Sequence, residues 1–191
     1  MKTFRLYGAR LLVALLLTLA AYNASGSSGS EAGTTWTLRV PGFYNLKGAT
    51  YGNGLFVAVG GSPDSSTILT SRDGVSWTQQ TSPTRGWLYG VTFGNGLFVA
   101  VGDKGAIFTS PDGANWTQRT SGGNDLKGVT YGNGLFVAVG GSPDSSTILT
   151  SPDGVTWTRR PSPTRDWLNG VAYGNGTFVV VGYFGTILTS P

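Results

Sequence analysis

The chain contains no cysteine and no histidine, and its only glutamate is Glu31. Without those side chains there is no disulfide, no thiol nucleophile, no Cys/His zinc site and no imidazole general base. Charge of one sign is also scarce. The formal net charge is +4, but Lys2, Arg5 and Arg10 fall in the first ten residues, and the rest carries ten basic against nine acidic side chains. A near-neutral domain lacks the electrostatic footprint of a nucleic-acid binder. No motif implies a cofactor or a metal. Long apolar runs are limited to "LLVALLLTLAAY" at residues 11–22, shorter than the roughly 20 residues that span a bilayer. Helical periodicity is missing beyond that run, which excludes a helical solenoid.

What is present begins with that run. Three basic residues, the apolar stretch and the Ser/Gly-rich "NASGSSGSEAG" form the three parts of a secretory signal peptide. Residues 1–24 are expected to be the signal peptide and 25–33 a Gly/Ser-rich leader. "LAAYN" resembles a lipoprotein processing site, but Tyr22 stands where that motif has its cysteine, so no lipid anchor is expected. The expectation is a secreted protein, extracellular or periplasmic, with no membrane attachment after cleavage.

The remainder, residues 34–191, is written in repeats. "YGNGLFVAVG" at 51, "FGNGLFVAVG" at 93, "YGNGLFVAVG" at 131 and "YGNGTFVVVG" at 173 lie 42, 38 and 42 residues apart. A period near 40 indicates a propeller or a solenoid. Each repeat divides by its turn residues into four runs rich in Val, Ile, Thr and aromatics, such as "LKGVTY", "LFVAVG", "TILTS" and "VTWTRR", which are strand signals. Asn-Gly at 53, 95, 133 and 175 supplies the positive φ of a tight hairpin. The fold class is therefore all-β: a β-propeller of four blades, each of four antiparallel strands.

The frame predicts closure. "TTWTLRV" at 34–40 reads as a fourth strand without its first three, and "GTILTSP" at 185–191 as a third strand without its fourth. Pairing them would complete the last blade and remove an exposed edge. The same exchange between two chains would give an eight-bladed dimer, so monomer and strand-exchanged dimer both stand as expectations.

"SRDGVSWT" at 71, "SPDGANWT" at 110 and "SPDGVTWT" at 151 resemble the Asp-box, or BNR repeat, of sialidases and many other propellers. The pattern looks more like that of bacterial secreted sialidase-like propellers than like that of true sialidases. The resemblance implies a turn in which Asp73, Asp112 and Asp153 accept backbone N–H bonds while Trp77, Trp116 and Trp157 pack into the blade. The commonest box has a residue between Asp and Gly; here Gly74, Gly113 and Gly154 follow directly. Sialidase activity fits poorly, because it implies an arginine triad and a tyrosine paired with glutamate.

Strand alternation places all the uniform turns on one face and all the irregular loops on the other. Loops carry function on rigid scaffolds, so the second face is the candidate binding surface. Its distinctive residues are Asp64, Arg85, Trp87, Asp144, Arg165, Asp166, Trp167 and Tyr183, with Phe43 and Tyr44 beside them. Rings next to Arg and Asp suit sugars or peptides. The near copies "SPTRGW" at 82 and "SPTRDW" at 162 suggest two equivalent sites around Trp87 and Trp167. The expected function is a non-catalytic binding module for a glycan or a protein. The alternatives are a structural or assembly-factor propeller that scaffolds partner proteins and a glycoside hydrolase using two of Asp64, Asp125, Asp144 and Asp166.

Overall fold

The computed structural model describes residues 32–39, 42, 45–119 and 123–191. The expected signal peptide, most of the leader, Val40, Phe43 and Tyr44 lie outside the described residues. Two compact units are distinguished, Met1–Thr37 and Leu38–Pro191.

The larger unit is all-β. Blade 1 holds β1 (Leu46–Gly52), β2 (Leu55–Ser62), β3 (Ser65–Ser71) and β4 (Thr78–Gln80). Blade 2 follows with β5 (Leu88–Gly94), β6 (Leu97–Gly102), β7 (Ile107–Ser110) and β8 (Thr117–Arg119), and blade 3 with β9 (Asp125–Gly132), β10 (Leu135–Ser142), β11 (Ser145–Ser151) and β12 (Thr158–Arg160). Blade 4 has β13 (Leu168–Gly174), β14 (Thr177–Gly182) and β15 (Ile187–Ser190). Each sheet runs in chain order with antiparallel neighbours, the order of a propeller blade. Asn53, Asn95, Asn133 and Asn175 all adopt φ between 47° and 49°, the conformation the Asn-Gly hairpins were expected to need.

First strands are innermost: β1 packs on β5, β5 on β9 and β9 on β13. Their backbones come close at one level, where a Cβ on Gly48 would lie 3.2 Å from the Gly90 Cα and one on Gly128 3.1 Å from the Gly170 Cα. Only glycine keeps those strands in register without a shift. Farther out, the second and third strands interlock as apolar layers. Val57, Val59 and Ile68 of blade 1 pack with Leu88, Phe98, Ala100 and Phe108 of blade 2, and the same arrangement repeats between blades 2 and 3 and between 3 and 4. In blades 2 and 3 the second strands are covered on both faces, which is why they read as apolar throughout.

The four-blade architecture expected from the repeats is present, with four strands in three of its sheets. The fourth sheet has three strands, and among the described residues 32–39 there is none. Nor does β13 pack on β1 as the other first strands pack on one another. A physical reason is visible in the turn that should launch the missing strand. The other three fourth strands are only three residues long, so they depend on the preceding Ser-x-Asp-Gly turn. The N-terminal copy reads Ser30-Glu31-Ala32-Gly33. Gly33 keeps the positive φ of 88°, while Ala32 cannot accept the bonds that a carboxylate accepts.

In the intact turns those bonds are explicit. Asp73 Oδ1 accepts the N–H groups of Val75 and Ser76, both at 2.8 Å, and the Ser71 hydroxyl at 2.9 Å. Asp112 and Asp153 repeat the pattern. Trp77, Trp116 and Trp157 donate Nε1–H to the carbonyl oxygens of Gly74, Gly113 and Gly154 at 3.2, 2.9 and 3.0 Å. Bonds from the N–H groups of Ser76 and Val75, then from the Ser71 hydroxyl, hold the Asp73 carboxyl down at about 2 from its ordinary 3.8. The N–H groups of Thr156 and Val155 and the Ser151 hydroxyl do the same for Asp153, also at about 2. Asp112 is lowered as well, first by the Asn115 N–H and then by its side-chain amide. A carboxylate with a depressed folded pKa stabilises the fold above its unfolded pKa, and that contribution is lost as pH falls through the folded value. Thermal stability is therefore expected to hold above about pH 4 and to decline from there to about pH 2. Melting curves of Asp73→Asn and Asp153→Asn should show a shallower decline over that interval; unchanged slopes would mean the carboxylates do not stabilise the turns.

Candidate functional site

The loop-bearing end of the inner strands carries a run of rings and charges contributed by all four blades. Between the first leucine and the next glycine of each first strand stands a residue that changes along the repeats, Lys47, Tyr89, Lys127 and Asn169 in turn. Two positions earlier, Trp87 and Trp167 occupy the places that Asn45 and Asp125 take in blades 1 and 3.

These residues meet in sequence. The Lys47 ammonium lies 5.0 Å from the centre of the Trp87 ring. Trp87 stacks on Tyr89 with centroids 6.3 Å apart and planes 11° from parallel. Lys127 Nζ sits 3.5 Å from the centre of Tyr89 and 5.8 Å from that of Trp167. Trp167 continues to Tyr183 at 5.5 Å, and Tyr183 meets Phe184 edge-on at 6.4 Å. A cation over a ring face is attracted by the ring quadrupole, typically by about 0.5–2 kcal/mol depending on desolvation.

Two carboxylates fix this row. Asp103 Oδ2 accepts the Trp87 N–H at 2.8 Å and its Oδ1 accepts the Tyr89 hydroxyl at 2.7 Å. Asp125 pairs with Lys127 Nζ at 3.1 Å and accepts the Lys104 N–H at 2.9 Å. Burial, then the bond to Asp103, then the charges of Asp103 and Asp125 push the Tyr89 phenol upward, so it stays protonated and donates. Asp103 stands in the tight turn Asp103–Gly105, where Lys104 has φ 55°.

The residues singled out in the sequence are distributed unevenly. Trp87, Trp167 and Tyr183 belong to the row. Both tryptophans are half-buried: Trp87 is held through Asp103, and Trp167 lies so close to Gly141 that a Cβ there would be 3.1 Å from its Cδ1. The Trp167 indole N–H is buried with no hydrogen-bond partner among the described residues. Asp166 instead accepts the hydroxyls of Thr186 and Thr164 at 2.6 and 2.7 Å, which lower its carboxyl. Blade 2 solves the same corner the other way round, with Gly86 beside the Asp103 carboxylate. Arg85 and Arg165 are exposed, as are Asp64 and Asp144 at the tips of the β2–β3 and β10–β11 hairpins. Arg85 borders two depressions beside the row, one of about 700 Å³ with Asp103, Lys104 and Arg119, the other of about 500 Å³ with Asp64 and Gln79.

Of the carboxylates considered for hydrolysis, Asp125 is bound to lysine and Asp166 to threonines, so their oxygens are engaged with different partners. Among the described residues no group of three or more acidic side chains could hold a metal. Lys47, Tyr89, Lys127 and Asp103 escaped the sequence reading. For the three strand residues the signal was the position between leucine and glycine, which changes along the repeats while that leucine and glycine stay.

No family model and no curated protein matches this chain. Solved structures do. A computationally designed protein, Ika4, superposes with a TM-score of 0.60 at 10% identity over 78% of this chain and 92% of that one. A structure of YCF48 bound to a D1 peptide gives 0.58 at 22% identity over 82% of this chain and 52% of that one. The nidogen/laminin complex gives 0.61 at 16% identity over 73% and 57%. The chain thus spans little more than half of those last two, and at these identities the likeness is one of fold, a β-propeller-like arrangement.

Proposed function

We propose that this chain is a non-catalytic binding module that holds a protein segment across the loop-bearing end of its inner strands. The observation that carries the reading is the unbroken row from Lys47 through Trp87, Tyr89, Lys127 and Trp167 to Tyr183, built from all four blades at the positions where the repeat varies. Identical residues at every turn serve the scaffold; a row of unlike residues at one level serves something outside it. Aromatic faces alternating with ammonium groups and carboxylates suit an extended peptide, whose apolar side chains cover the rings while its charges and amides meet Lys and Asp. Two of the similar folds were determined with a peptide or protein partner, which supports a protein ligand over a glycan. The Ser-x-Asp-Gly turns are read as those of Asp-box propellers, and the leader as directing export.

The test is capture of partners from a cell-surface or extracellular extract beside a glycan array, with a double variant as control. Lys47→Ala with Tyr183→Ala removes both exposed ends of the row and is expected to weaken binding at least tenfold with little change in melting temperature. Binding only on the glycan array would replace the protein ligand with a sugar. A captured partner that binds the double variant as tightly as the native chain would remove the row from the site.

A further inference from the structure

We propose that two copies of this chain join head to tail, blade 1 of each packing on blade 4 of the other, to form an eight-bladed ring. The interface in question already occurs three times inside one chain, so both of its surfaces can be recognised when they stand unpaired. At each internal interface an aromatic residue of the following blade lies over a glycine. A Cβ on Gly52, Gly94 or Gly132 would stand 2.0, 2.1 and 2.1 Å from the Cγ of Phe93, Tyr131 and Tyr173. Gly174 is the fourth such glycine, and nothing lies within 4 Å of the place its Cβ would take. Tyr51 is the fourth such ring, and it is 58% exposed.

The surrounding residues follow the same rule. Val179, Val181 and Ile187 of blade 4 are exposed, whereas their counterparts Val57, Val59 and Ile68 in blade 1 are fully buried. Leu46 and Phe56 of blade 1 are open, whereas Leu88 and Phe98 of blade 2 are not. Ala58 and Leu69, on the same side of blade 1, are covered, so the open part is Leu46, Tyr51 and Phe56.

A groove of about 490 Å³ lies at the outer end of the internal junction between blades 3 and 4. It is lined by Leu135, Val137 and Thr150 of blade 3 and by Phe178, Val180 and Leu188 of blade 4. The corresponding Leu55, Val57 and Thr70 of blade 1 hold Gly113 of the blade 2 turn. A turn and its tryptophan therefore belong in this groove.

Each chain thus offers both halves of one interface, the uncovered Gly174 and the exposed Tyr51. The three internal junctions are alike, and a second copy set at the same blade angle would complete the fourth. A head-to-tail contact closes when its rotation completes a ring, and eight blades lie within the range of propellers.

Light scattering on the purified chain at tens of micromolar is expected to give twice the single-chain mass. Gly174→Val should return it to one chain, because the added side chain occupies the place of the incoming ring while meeting nothing in its own chain. An unchanged far-ultraviolet spectrum for the variant would show that its fold is kept. A single-chain mass for the native protein, or a two-chain mass that survives Gly174→Val, would overturn the proposal.

Discussion

Replacing Gly140 with alanine is expected to cost the fold about 3 kcal/mol or more, beyond the roughly 1–3 kcal/mol usual for overpacking. The added Cβ would fall 1.9 Å from the Asp125 carbonyl oxygen and 2.7 Å from the Leu126 Cα. Both obstacles are backbone, so no side chain can rotate aside. Gly140 also stands where the register between β10 and β9 shifts, a bulge that brings the incoming first strand against the end of the second. Gly60, Gly102 and Gly182 face the carbonyl oxygens of Asn45, Trp87 and Trp167 at 2.0, 2.2 and 2.4 Å, so the constraint belongs to every blade. The displacement in Gly140→Ala would be felt at Asp125 and Lys127, and partner binding should weaken together with stability. Urea denaturation measures the first effect; a variant as stable as the native chain would show that the bulge yields freely.

The repeat made the blades legible because a blade is a local object. Its hairpins are set by Asn-Gly pairs, its apolar second strand by contact on both faces, and its outer turn by Ser, Asp and Trp within eight residues. Each of those causes acts inside one repeat. Even there the fourth strand was read too long: "VTWTRR" holds only Thr158–Arg160 as strand, because the turn extends as far as Trp157. Closure was not legible, since it depends on the angle between blades, which three packed interfaces decide together. The site was legible in part. Trp87 and Trp167 stood out as departures from the repeat in loops, but Lys47, Tyr89 and Lys127 were hidden in strands whose flanking leucine and glycine repeat. The engagement of Asp166 by Thr164 and Thr186 could not be read from spacing, because Thr186 lies in the turn between β14 and β15 and meets Asp166 only once the blade is folded.

Phe98→Ala and Phe56→Ala separate the contribution of a blade from that of its neighbour. The two phenylalanines hold the same place in successive repeats and lean on the same kind of partner, Phe98 on Phe93 with centroids 4.7 Å apart and Phe56 on Tyr51 at 4.6 Å. Phe98 is also covered by Val57, Val59 and Ile68 of the preceding blade and is fully buried, while Phe56 is 36% exposed. Truncating a buried phenylalanine typically costs about 3–5 kcal/mol through lost transfer energy and the cavity left behind, a large part of the roughly 5–15 kcal/mol that holds a domain together. Phe98→Ala is expected to fall in that range. Phe56→Ala in dilute solution should cost about 1–2 kcal/mol, because part of its surface is already in water and no closed cavity remains. If a second copy covers blade 1, association and folding are linked, and the cost of Phe56→Ala should rise with protein concentration while that of Phe98→Ala stays nearly constant. Urea titrations of both variants at two concentrations measure this. Equal costs for the two at high dilution would mean that the preceding blade adds nothing to the burial of this ring, and the packing between blades would then not be what holds the propeller together.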